Sequence, residues 1–300
     1  MRRFVLFVLA LMALLTGCTE KSANYKYADN WTLSEVETEI QHYRPGEDLY
    51  RYSTKIEGVD LSPIKQIITE YFKGNDELDW ENFDQVSSIR TVNVASIDEI
   101  QELPVELLQI IVGYQAMYDD DSKAMYLFPA FYEAQSEMQT HALAHELIHA
   151  LMSTGHENYS RLEEGAVDYY TARVLEAAEL QNTPVYVGEI LAVTWLMDVY
   201  GEQEIVKATC DGRLNELVDE ATKPGMADKL SQALIIVHTS SGNTTQLTEA
   251  ANVEYDILSH VAVSRGRCDA VKNRLLMANL VYASAGINLN LNYFNELLRG

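Results

Sequence analysis

The sequence predicts an α+β fold, predominantly helical, with a small antiparallel sheet ahead of one central helix and a helical C-terminal part. Three observations predict it. Apolar residues recur at helical spacing through most of the chain after residue 180. Two short apolar and aromatic runs, 114–118 and 123–128, flank the polar tetrapeptide Asp119-Asp120-Asp121-Ser122 and read as a β-hairpin. Between these regions Leu143, Leu147 and Leu151 form the stripe of an amphipathic helix, with Ala150 beside it. With 47% hydrophobic residues in 300, the chain has ample material for a large core.

In chain order, Arg2 and Arg3 precede an apolar run over 4–15 and the tetrapeptide Leu15-Thr16-Gly17-Cys18. That is the layout of a signal peptide over 1–17, too short to span a bilayer as a helix. Leu-x-Gly-Cys resembles the lipobox of bacterial lipoproteins. The resemblance implies that Cys18 becomes the acylated first residue, and that the protein is extracytoplasmic and anchored to a bacterial membrane by that lipid. Residues 18–30 are polar and are expected to be a tether. Helices are expected over 61–72 and over 97–112, the second despite Pro104, with a short strand over 89–94. Pro129 stops the second hairpin strand, and the three aspartates of its loop lack the spacing of an EF-hand calcium site.

The central helix should start near 136, where Ser136 and Gln139 have capping-box form, and stop at Gly155. Ser160 and Glu163 predict the start of a second helix, in which Leu162, Ala166, Val167, Tyr170, Val174 and Leu175 keep a helical period. Further helices are expected over 185–200 (stopped by Gly201), 202–209, 214–221, 226–238, 247–264 and 269–283.

The chemistry lies in His145-Glu146-Leu147-Ile148-His149. On a helix, positions i and i+4 are about 40° apart on one face, so both imidazoles can bind one Zn²⁺. Glu146 projects about 100° away from His145, out of easy reach as a ligand but well placed to take a proton from a water the metal polarises. A hydrolytic zinc site needs a third protein ligand. Glu164 is the choice. Glu163 competes but has a capping role, and Asp168, one turn after Glu164, can accept the outer N–H of a ligand histidine. His156 is a further rival, and His141, one turn before His145 on the ligand side of the helix, reads first as a packing or surface histidine, with support of the ligands as the alternative.

His145-Glu146-x-x-His149 followed by Glu164-x-x-x-Asp168 resembles the gluzincin branch of zinc metallopeptidases, with thermolysin-like and M48-like enzymes as the nearest pattern. The likeness spans roughly residues 110–180. It departs from thermolysin in a shorter interval between His149 and Glu164 and in carrying Glu163 where thermolysin has Asn. The resemblance implies a zincin-like catalytic region over 31–180, an edge strand ahead of the helix that pairs with peptide substrate, and a helical subdomain over 181–300 completing the cleft. A donor for the oxyanion is also expected, with His238, Tyr255, His260, Arg265, Tyr169 and Tyr170 as undecided choices.

A net charge of −23, more negative once Arg2 and Arg3 are removed, argues against nucleic acid as a partner. Cys210 and Cys268 can form a disulfide in an oxidising compartment. The expectation is a membrane-anchored, zinc-dependent peptidase acting on a peptide or protein substrate. The alternative is a binding lipoprotein on the same scaffold with little or no turnover.

Overall fold

The computed structural model describes residues 25–29, 31, 46–92, 103–152, 160–239 and 243–299, with the side chains of 238 and 239 excepted. The expected signal peptide, Cys18, most of the tether, Gly155 and His156 lie outside them. The fold is α+β and predominantly helical, with one four-stranded sheet.

The N-terminal part contains α1 (Gly46–Arg51), β1 (Ser53–Lys55), α2 (Ser62–Tyr71), α3 (Trp80–Gln85), β2 (Ser88–Val92), α4 (Val105–Gly113), β3 (Ala116–Asp119), β4 (Ala124–Leu127) and α5 (Pro129–Glu133). The sheet order is β1-β2-β4-β3. The expected hairpin is there as β3 and β4, paired antiparallel with Ala116 opposite Leu127. The sheet as a whole is mixed rather than antiparallel, because β2 runs parallel to β4 with Ile89 opposite Met125. Helix α4 lies between β2 and the hairpin; β3, which runs opposite to β2 and β4, carries the chain back to the end of the sheet where β2 begins, so β4 can pair parallel with β2.

All four residues of β4 are buried, because helices cover both faces of the strand. Met125 and Leu127 face one apolar cluster, together with Ile68, Phe83 and the leucines of the central helix. Ala124 and Tyr126 face another, with Leu49, Leu107 and Ile111. The described part of the helix expected over 97–112 runs from Val105 to Gly113, with Pro104 as its N-cap, as suits a residue without an N–H to donate; residues 97–102 lie outside the described residues.

The central helix is α6 (Ser136–Met152) and the second is α7 (Arg161–Ala177). The capping box expected at Ser136 does not form: the Gln139 side chain donates instead to the Phe131 carbonyl at 2.9 Å. The one expected at Ser160 does form, with Glu163 N–H on Ser160 Oγ and Ser160 N–H on Glu163 Oε2. Helix α7 divides its apolar residues between two cores. Val167, Tyr170, Val174 and Leu175 join the leucines of α6, while Leu162 and Ala166 turn to the C-terminal helices.

Those helices are α8 (Val187–Tyr200), α9 (Glu202–Cys210), α10 (Leu214–Ala221), α11 (Met226–Thr239), α12 (Thr244–Ser264), α13 (Cys268–Ser284) and α14 (Leu291–Leu297). Part of the expected tether belongs to this core. Tyr25 and Ala28 are buried, and Asp256 on α12 accepts from the Tyr27 and Ala28 N–H groups at 2.7 and 3.1 Å. Aromatic residues within a polar stretch explain the docking. Cys210 keeps its thiol, so no Cys210–Cys268 bridge forms; the two residues lie in different cores. No described helix is long and apolar enough to cross a membrane.

Candidate metal centre

Helix α6 buries Leu143, Leu147 and Leu151 and turns His141, His145 and His149 toward α7. Near the start of α7, Glu164 faces them. His145 Nε2 and His149 Nε2 are 3.1 Å apart, and Glu164 Oε2 lies 3.2 Å from the first and 3.5 Å from the second. Three ligands about 2.1 Å from a tetrahedral zinc are about 3.4 Å from one another. The three atoms therefore fit the donor triangle of such an ion, and the nitrogen, nitrogen, oxygen set suits zinc.

The electrostatics agree. Burial disfavours charge on His145, but the carboxylates of Asp168 and Glu164 outweigh it and push its pKa up to about 10. Burial likewise opposes ionisation of Glu164, yet His149 and His145 hold its carboxyl well below the usual range. The pocket is organised around a positive charge.

His141, His145 and Asp168 form a second buried group of possible metal-binding side chains. Here His141 Nε2 is only 2.6 Å from Asp168 Oδ1, and His145 Nδ1 is 3.6 Å from the same oxygen. A separation of 2.6 Å is a close ion-pair contact, shorter than the edge of a zinc coordination polyhedron. The arrangement reads better as support for the first cluster, with Asp168 behind the outer nitrogen of His145. The other oxygen of Asp168 accepts the backbone N–H groups of Val185 and Tyr186 at 2.9 and 2.8 Å. Fully buried, Asp168 joins the histidine helix to the start of α8.

Glu163, the rival carboxylate, points to its own helix cap, and burial pushes its pKa up to about 7. Glu146 is buried on the sheet side of α6, where Oε2 accepts the Tyr118 N–H at 2.7 Å. Tyr118 belongs to β3, the edge strand. Phe128 N–H bonds the Gln115 carbonyl, so the alternation of an antiparallel ladder turns the N–H and C=O groups of Ala116 and Tyr118 outward, toward α6.

The expected oxyanion donors whose side chains are described pack elsewhere. Tyr255 packs against Trp195 and Tyr282, Tyr170 against Phe72, and Tyr169 on Tyr170. His260 lies against Tyr25, Arg265 lies over Tyr200, and the His238 side chain is outside the described residues. The aromatic beside the cluster is Tyr186, stacked on His145 with ring centroids 5.5 Å apart. Burial pushes its hydroxyl well above the ordinary tyrosine range, with Glu164 adding to the effect, so it stays a neutral donor. Tyr114 and Arg161 share this electrostatic neighbourhood with Glu146 and Glu164. No local pattern announces Tyr114, Tyr186 or Arg161; tertiary packing brings them in. His141, by contrast, is legible as the residue one turn before His145.

No family model, curated protein or solved structure matches the chain.

Proposed function

We propose that the protein is a zinc-dependent peptide hydrolase of the gluzincin type, carried outside the cytoplasm on a lipid attached to Cys18. The observation that carries the hydrolytic reading is the convergence of His145 Nε2, His149 Nε2 and Glu164 Oε2 within 3.5 Å, with a buried carboxylate next in sequence to His145. A zinc ion held there would supply Lewis acidity to polarise a peptide carbonyl and lower the pKa of water.

The chain's own groups do the rest. Glu146 has one oxygen fixed by the Tyr118 N–H, which leaves Oε1 to accept the proton of the attacking water and return it to the departing amine. Asp168 holds His145 in orientation through its Nδ1 side. Tyr186 offers a neutral hydroxyl beside the ligands for the charge that develops on the carbonyl oxygen. The outward N–H and C=O of Ala116 on β3 offer backbone partners to an extended peptide. The address rests on the lipobox-like tetrapeptide ending in Cys18.

Substituting Glu146→Gln tests the reading. The variant should bind zinc like the parent and lose about 10²- to 10⁴-fold in peptide turnover, the usual worth of a general base. Zinc content by atomic absorption and cleavage of a peptide library by mass spectrometry measure both. Turnover that survives the substitution removes Glu146 from the chemistry.

A further inference from the structure

Arg161 occupies the first turn of α7, three residues before Glu164 and on the same side of the helix. Its side chain is only 19% exposed. A guanidinium has five N–H donors, and among the described residues this one makes no hydrogen bond. Its described ion partner is Glu189, fully buried on α8, at 3.7 Å from Nη1. That distance is long for a hydrogen-bonded fork, so Glu189 neutralises the arginine from behind without using its donors. Close packing builds this support: a Cβ on Gly165 would lie 2.5 Å from the Glu189 carbonyl carbon.

The guanidinium lies close enough to act electrostatically on Tyr114 and Tyr186, as do the carboxylates of Glu146 and Glu164. A mostly buried arginine with unused donors, one helical turn from a metal ligand, is a built receptor for a planar anion. The acidic groups around it favour a single negative charge over a phosphate dianion.

We propose that Arg161 is the specificity-determining residue of this cleft and recognises a free carboxylate on the substrate close to the cleaved bond. The proposal rests on the peptidase reading and narrows it. The carboxylate can be the C-terminus of a short peptide or an acidic side chain within a longer one.

The test uses the full mature chain loaded with zinc. Three hexapeptide libraries are digested: free C-termini, the same peptides amidated, and amidated peptides with one fixed Glu. Cleavage should favour free acids or Glu-bearing amides, and which of the two it favours identifies the source of the carboxylate. In Arg161→Gln, KM for the preferred peptides should rise about 10- to 100-fold, as expected for loss of a charge-assisted pair, while kcat changes little. Arg161→Lys should recover part of the loss. An equal fall in kcat on acids and amides would make Arg161 an oxyanion donor and overturn the proposal, as would no change at all.

A binding arm keeps the two readings apart. Zinc-loaded Glu146→Gln is titrated calorimetrically with N-acetyl-tetra-alanine, with its C-terminal amide and with an amidated N-acetyl-tetrapeptide bearing one Glu, then all three are repeated with Arg161→Gln added. A preference for a carboxylate-bearing peptide that vanishes with the second substitution supports the proposal even if the parent cleaves nothing, an outcome that would sink only the peptidase reading. Equal binding of all three by the Glu146→Gln protein overturns the proposal.

Discussion

Glu163 and Glu164 are neighbours on α7, and about 100° of helical rotation gives them different roles. Glu163 closes the cap with Ser160, while Glu164 meets both imidazoles. Substituting Glu164→Ala should therefore strip zinc from the purified protein. Glu163→Ala should leave the metal content unchanged and cost about 0.5–2 kcal/mol in a denaturant melt through the damaged cap. The reverse pattern would move the third ligand to 163. At this scale much of the site is readable in sequence, because i, i+4 spacing and capping boxes are local rules. The groups that complete it are not readable. Tyr118 contributes a backbone N–H that any residue type could supply, and Arg161 and Tyr186 sit between ordinary loop and helix signals.

Among the elements, the contact between α7 and α8 positions most of the cleft. It brings Tyr186 onto His145 and Glu189 behind Arg161. Gly165 allows it: an added Cβ would lie 2.5–2.7 Å from the backbone and Cβ of Glu189, and backbone cannot step aside as a flexible side chain can. Gly165→Ala should destabilise by about 1–3 kcal/mol, the cost of overpacking a tight site. Gly188→Ala is the control. Its Cβ would meet Tyr282 and Val237 at ordinary distances of 3.5 and 3.7 Å, so stability should hold or rise slightly. Matched chemical melts of the two variants measure the difference, and equal losses would show that the helices can separate freely at Gly165. Long helices with strong apolar periods and clear stops, such as α8 before Gly201, are legible in sequence. Short elements such as β1, α3 and α14 carry too few residues for a period to show.

In the whole molecule, what escapes the sequence is long-range pairing: the parallel register of β2 on β4, and residues 25–29 held by Asp256 more than 200 positions away. Neither has a local signature. Packing seven helices behind the cleft also buries groups that would otherwise be charged. Glu254 on α12 is fully buried, with Tyr282 donating to Oε2 at 2.8 Å, and burial, aided by the charge of Glu189, pushes its pKa up to about 8. The unfolded chain gives up this proton near 4.5, the ordinary glutamate value. Between 4.5 and about 8 the folded state therefore binds one more proton than the unfolded state. Stability from this group is full below 4.5 and is lost as pH rises through the window. Glu254→Gln cannot ionise and keeps nearly the same shape. With chelator present, so that metal binding does not contribute, the variant should be the more stable protein at pH 8. Its advantage should shrink as pH falls toward 5, and the remaining slope shared by both proteins belongs to groups such as Glu163. Chemical melts at pH 5, 6.5 and 8 provide the test. Parallel curves for parent and variant would mean that Glu254 is already ionised in the fold and that a cation or water reaches the space behind α8.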